Sequence, residues 1–266
     1  MVSQGENSAG AVEPMVFAAH PVWRLDLAYE GTAFHGWARQ PGLRTVEGVL
    51  GEVLAKILRA PVRLSVAGRT DAGVHASAQV ASFACPCQDV DPGLLRHSLN
   101  ALLPPDVAVS RVLPAAAGFA AREARSRTYR YSLWTSSVKP VRERTRVWAV
   151  RGGVDGGLLR EAAALLPGRR DFSALTPSAQ QYHSCVREVL AAEWSPGGAD
   201  GTAWAFQISA GSFLHTMVRV AVGSMVDVAQ GRMTLQGFAD ALAAGERRRM
   251  GQTAPARGLE LIAVEY

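Results

Sequence analysis

Between Gly68 and Gly73 the chain reads Gly68-Arg69-Thr70-Asp71-Ala72-Gly73, three polar side chains held between two glycines. Leu64 and Val66 lead a short strand into this stretch, so the backbone must bend sharply and present Arg69, Thr70 and Asp71 together. A carboxylate on such a loop, beside a guanidinium, can serve as nucleophile or general base. The same residues also suit an Asx turn, with Asp71 accepting from its own backbone and Arg69 on the surface. On these residues alone both readings stay open. His75, four residues further on, could join Asp71 in a metal or hydrolytic pair, but no third ligand or nucleophile elbow accompanies it, and it reads as structural. Cys85, Cys87, His183 and Cys185 offer four metal ligands on paper. The single residue between Cys85 and Cys87 is tighter than the spacing of structural zinc sites, so no metal is expected and the thiols read as buried.

The elements that must position these residues follow from periodicity. Trp23, Leu25, Leu27 and Tyr29 alternate with polar neighbours and predict a first strand. Thr45 can cap a helix whose Val46, Val49, Leu50, Val53, Leu54, Ile57 and Leu58 form one apolar face ending at Pro61. Residues 79–84 read as a strand, and Asp91-Pro92 starts a helix carrying Leu95, Leu99, Leu102 and Leu103. Further on, Tyr129, Tyr131 and Leu133 share one strand face, with Thr128, Arg130 and Ser132 on the other. Residues 158–166 read as a helix. Strands follow at 189–194 and 203–208, separated by a turn at Pro196-Gly197-Gly198. A long apolar helix is expected over 213–228 and a closing strand over 259–266. The rhythm predicts an α+β fold of two similar α/β halves with antiparallel or mixed sheets, over residues 21–118 and 119–266, after a disordered tail at 1–20.

The chain has 266 residues, 48% hydrophobic and 19% charged, the balance of a packed protein of one or two domains. No apolar run approaches the roughly 18 to 20 residues needed to span a bilayer. Residues 1–14 lack both Lys and Arg and a long apolar core, so no signal peptide is expected, and three cysteines that cannot all pair suit a reducing, cytoplasmic setting. The net charge is +5, and all but two of the 28 basic residues are arginines. Residues 122–151 concentrate nine of them (Arg122, Arg125, Arg127, Arg130, Lys139, Arg142, Arg144, Arg146 and Arg151) against Glu123 and Glu143. Such a block is the electrostatic footprint expected of a polyanion groove. Arg247-Arg248-Arg249 is a second, shorter candidate.

Read with its neighbours, Gly68-Arg69-Thr70-Asp71-Ala72-Gly73-Val74-His75-Ala76 resembles the catalytic motif of the TruA family of tRNA pseudouridine synthases. Tyr29-Glu30-Gly31-Thr32 with Phe34, Gly36-Trp37 and Gln40 is similar to the family's opening motif, and Arg127-Thr128-Tyr129-Arg130-Tyr131 to a central strand. Arg170-Asp171-Phe172, Phe213-Leu214 with Met217-Val218-Arg219, and Ala254-Pro255 with Gly258-Leu259 continue the likeness in family order to Tyr266. Glu30, Ala38, Ala210 and His215 depart from the usual residues, and none is a proposed reacting group. The resemblance implies a pseudouridine synthase fold with an RNA-binding cleft between its halves. It implies an isomerase, active without a cofactor, that converts uridine to pseudouridine in the tRNA anticodon stem-loop, at positions 38 to 40. It makes Asp71 the catalytic carboxylate and Arg69 the residue that enters the stack as the base leaves it. Tyr129 would lie against the target base, and Arg219 would partner Asp71. It also implies a homodimer whose RNA reaches both chains.

Overall fold

The structure is a computed structural model and describes residues 20–85, 90–197 and 202–266. The tail expected at 1–20 lies, apart from His20, outside the described residues, as does Cys87. Ten strands form one sheet: β1 (Val22–Tyr29), β2 (Ser65–Val66), β3 (His75–Ala84), β4 (Val107–Ala115), β5 (Ser126–Trp134), β6 (Trp148–Ala149), β7 (Gly168–Asp171), β8 (Val186–Gly197), β9 (Ala203–Ala210) and β10 (Leu259–Glu265). Their order is β4-β1-β3-β10-β5-β9-β8-β7, with β2 on β3 and β6 on β5. Pairing is antiparallel except for β10 with β3 and β5 with β6, so the sheet is mixed and the fold α+β. The closing strand lies at the centre. β10 pairs with β5 from Leu259 to Glu265, and its Glu260 and Leu261 also pair with His75 and Ala76 of β3, so the last strand of the chain joins β3 to β5.

Five helices are described: α1 (Val46–Leu58), α2 (Pro92–Leu102), α3 (Gly156–Ala163), α4 (Met217–Ala229) and α5 (Leu235–Ala244). Local capping sets several starts. Thr45 accepts from the Gly48 amide at 3.2 Å, and Asp91 from Leu94 at 2.6 Å just ahead of Pro92. The apolar strand face is packed as its alternation requires, with Leu25, Leu27, Tyr131 and Leu133 almost fully buried. Leu95 and Leu99 bury the inner face of α2, whereas Leu102 is 45% exposed.

Several elements depart from the sequence expectation. The helix expected from residue 213 starts at Met217, because Thr216 takes a left-handed conformation (φ 59°) that cannot continue a helix. The strand expected from residue 79 begins at His75, held by its pairing to β10 and β1. The helix expected over 158–166 starts two residues earlier, where Asp155 accepts from the Gly157 and Leu158 amides. At the turn after β8, Pro196 and Gly197 still pair with Trp204 and Ala203, and Gly198 lies outside the described residues. No helix among the described residues is long and apolar enough to cross a membrane.

Candidate active site

Asp71 lies on the loop joining β2 to β3, and a second loop clasps it. The Trp37 amide donates to Thr70 O at 3.0 Å and the Gly73 amide to Phe34 O at 3.2 Å. This clasp explains the glycines of the first motif. A Cβ on Gly31 would stand 2.0 Å from Val74 O, and one on Gly36, whose φ is +86°, 2.7 Å from Thr70 O. Below the loop, the Tyr29 and Thr70 hydroxyls are 2.8 Å apart, and Gln79 Nε2 donates to both Tyr29 Oη (3.1 Å) and Gly68 O (2.8 Å). All three side chains are buried, and burial pushes the Tyr29 phenol up to about 12 against the opposing pull of Thr70 and Gln79. The loop is thus fixed by main-chain and buried polar bonds on both sides.

Arg219, on the first turn of α4, meets Asp71 from the other part of the chain. Its Nη1 donates to Asp71 Oδ2 at 3.0 Å while its Nε donates to Ala254 O at 2.9 Å. The guanidinium points inward rather than snorkelling to solvent, and its side chain is 19% exposed. Gly223 lets α4 press this close to the chain near Ala254, because a Cβ there would fall 1.8 Å from Gln252 O. On Asp71's other oxygen, His215 Nε2 stands 3.6 Å from Oδ1.

Thr70, Asp71 and His215 line a cavity of about 450 Å³, together with Gly68, Arg69, Tyr129, Tyr182 and Phe213. Tyr129 is buried in its wall, edge-on to Phe213 at a centroid distance of 5.2 Å. Burial first, then the nearby Tyr29 and Asp71, raise its phenol far above the ordinary tyrosine range, which keeps the hydroxyl protonated. Arg69, by contrast, is exposed at the cavity's edge. A second hollow of about 320 Å³, lined by His35, Trp37, Gln40 and Leu43, adjoins the first across Arg69, Thr70, Asp71 and His215. Three of the four residues singled out from the sequence, Arg69, Asp71 and Tyr129, therefore line one space, and the fourth, Arg219, is joined to it through its bond to Asp71.

The other sequence candidates fall elsewhere. His75 is 2% exposed, with Nδ1 accepting from the Gly31 amide (3.1 Å) and Nε2 donating to Thr145 O (2.9 Å). Both nitrogens are committed to the backbone, and burial lowers the imidazole's pKa. Cys85 and Cys185 are buried. Among the described residues, no group of three or more His, Cys, Asp or Glu side chains could hold a metal ion. The basic block divides: Arg122, Arg125, Arg130, Lys139, Arg142, Arg144, Arg146 and Arg151 are exposed, but Arg127 is 7% exposed and donates to four carbonyls. Arg127 is therefore withdrawn from the surface groove in which the charge count had placed it. Arg247 is also engaged, donating to Gly251 O and Thr253 Oγ1. Tyr182 and Ser178, which bear on His215, were not singled out from the sequence, where nothing local connects them to residue 71.

Residues 162–266 match the family described as tRNA pseudouridine synthase, an isomerase class. At 45% identity over 252 residues, covering 91% of this chain and 90% of the relative, the chain is similar to the tRNA pseudouridine synthase A of Solidesulfovibrio magneticus. It is 41% identical over 249 residues to that of Myxococcus xanthus, covering 92% of each. With that of Bacteroides thetaiotaomicron it shares 38% identity over 242 residues, covering 90% of this chain and 88% of the other. The chain belongs to the tRNA pseudouridine synthase A family.

Proposed function

We propose that this protein isomerises uridine to pseudouridine in the tRNA anticodon stem-loop, at positions 38 to 40, with Asp71 as the nucleophile. The observation that carries the reading is the Asp71 carboxylate at the wall of a nucleobase-sized cavity, held by Arg219 at 3.0 Å and facing the same space as Tyr129. The reaction breaks the C1′–N1 bond, turns the uracil and joins C1′ to C5. C5 then loses its proton and N1 gains one, so the product has the same atoms and oxidation state as the substrate. A uridine can reach such a site only out of the stack, which costs a few kcal/mol. Arg69, exposed at the cavity's edge, is the side chain placed to occupy the space the base leaves. Tyr129 offers an aromatic wall to the base and a phenol that stays protonated. The working unit is a homodimer, a reading supported by the family resemblance.

The test is tritium release from tRNA labelled at uridine C5, with the modified positions mapped afterwards. Asp71→Asn is nearly isosteric but cannot attack. Turnover should fall by at least about 10³-fold, with tRNA affinity and folding retained. Normal turnover by this variant would remove Asp71 from the mechanism, and pseudouridine found only outside the anticodon arm would overturn the substrate assignment.

A further inference from the structure

We infer that His215 is a positioning residue for Asp71, holding the carboxylate oxygen that Arg219 leaves free. The inference rests on Asp71 being the nucleophile. Arg219 occupies Oδ2, and His215 Nε2 faces Oδ1 at 3.6 Å. The distance is longer than a formed hydrogen bond, as catalytic contacts often are before substrate closes the site.

The surroundings of His215 are built to aim it. Ser178 Oγ lies 3.4 Å from Nδ1, and a hydroxyl donating there leaves the ring hydrogen on Nε2, the nitrogen that faces Asp71. The His215 amide donates to Tyr182 Oη at 2.9 Å, and the Arg187 guanidinium lies over the Tyr182 ring at 5.5 Å. Next in the chain is Thr216, one of two non-glycine residues with positive φ among the described residues. Its hydroxyl caps nothing, and its Oγ1 is buried without a hydrogen-bond partner. A left-handed threonine with an orphaned hydroxyl is strained, and such strain persists where the surroundings hold it in place. Here it ends α4 one residue short of His215, so the imidazole leaves the helix direction and faces Asp71, while Arg219 reaches the same carboxylate from within α4. His215 also lines both hollows, so it borders the space on either side of the nucleophile.

A carboxylate held at both oxygens keeps one orientation relative to the sugar and base, and misplacement by about 1 Å can cost on the order of a hundredfold in rate. The test compares His215→Ala, His215→Gln and Ser178→Ala in the full chain by steady-state tritium release. His215 is 51% exposed, so its replacement leaves no cavity in the core. His215→Ala should lower kcat by about ten- to a hundredfold with KM changed less than about threefold, since tRNA contacts elsewhere are intact. His215→Gln, whose amide can donate from a similar position, should recover most of the loss. Ser178→Ala should lower kcat less, and not at all when His215 is already alanine, because the two act through one contact. An unchanged kcat in His215→Ala, a rise in KM alone, or a glutamine variant as impaired as the alanine one would each overturn the inference. Asp71→Asn run alongside separates the two levels. Its normal turnover removes the nucleophile and this inference together, whereas an inactive Asp71→Asn beside a fully active His215→Ala removes only the role of His215.

Discussion

Arg127 and Arg219 are both turned inward, yet their guanidinium groups end on different partners. Arg127, on β5, donates from Nε to Ala67 O, from Nη1 to Ala124 O and Gly211 O, and from Nη2 to Arg122 O, all at 2.5–2.7 Å. It has no carboxylate among these partners, and burial pulls its pKa down. Arg219 spends one nitrogen on a carbonyl and another on Asp71. Five donors in a planar fork can tie together chain segments or orient one reacting group, and the partner decides which. Arg127 ties the start of the loop that carries Asp71 to β5 and to the chain before α4. Arg219 holds Asp71, the proposed nucleophile. The comparison predicts that removing the first damages the fold and removing the second damages the reaction.

Arg219→Ala should show the larger effect. Loss of a charged donor aimed at the reacting group should lower kcat by about 10²- to 10³-fold, while the lost Ala254 contact costs only about 1 kcal/mol of stability. Steady-state tritium release and urea unfolding on the same preparation check both halves, and an unfolded variant would erase the contrast with Arg127. Arg127→Ala should reverse the pattern. Four inward-facing carbonyls lose their donor, and the expected destabilisation is about 3 kcal/mol, read as a lower urea midpoint at unchanged m-value. Turnover of the molecules still folded should fall far less than for Arg219→Ala.

His75 extends the comparison to a third buried cation-former, one that stays neutral. Burial holds its folded pKa below the ordinary 6.5, so at lower pH the unfolded chain takes up the proton first. The His75 contribution to stability is complete above about pH 6.5 and is lost progressively as pH falls below it. Protonated Nδ1 could no longer accept from Gly31, in the loop that clasps the catalytic one. Unfolding midpoints measured from neutral pH downward should decline, and His75→Gln should start lower and decline less. Equal slopes for the two proteins would assign the acid sensitivity to other groups.

Much of this was legible because it is local. Thr45 and Asp91 cap where their sequence context says they should, and Trp23, Leu25, Leu27 and Tyr29 are all buried as their alternation requires, although Asp26 between them is buried too. Even the burial of Arg127 had a signal, since it shares strand parity with Tyr129, Tyr131 and Leu133. The charge count of the surrounding block outweighed that parity. β4 escaped notice for a physical reason: Asp26 pairs with Arg111 but Leu27 with Val109, so Ser110 is an extra residue that shifts Val112 out of step with Val107 and Val109. α5 carries a readable pattern in Leu235, Phe238, Ala241 and Leu242 after the Thr234 cap. The start of α4 was not readable. Phe213 and Leu214 are apolar enough to continue a helix, and only tertiary contacts to Tyr182 and Asp71 explain the left-handed turn at Thr216.

With Arg127 removed from the surface count, the exposed members of residues 122–151 still carry a strong positive excess, and two of them allow a test of what it is for. Arg142 and Arg144 are exposed, and the only hydrogen bond that their side chains make among the described residues is Arg144 Nη1 to Val141 O. Thr145, three residues from Arg142 and one from Arg144, is bonded through its carbonyl to His75, next to the loop that carries Asp71. That anchor fixes the stretch relative to the cavity while leaving the two guanidinium groups in solvent. If they contact tRNA phosphates, they release counterions on binding and carry no base specificity. Arg142→Ala with Arg144→Ala should then weaken binding to all tRNAs alike, and lower the slope of log affinity against log salt by roughly one unit per lost contact. Turnover at saturating tRNA should change little, in contrast to Arg219→Ala, because phosphate contacts this far from the nucleophile position the substrate without reacting. Filter binding from low to high salt measures the slope. An unchanged slope would make the stretch a solvated face, and would move the search for the RNA path to Arg248 and Arg249, which follow the engaged Arg247.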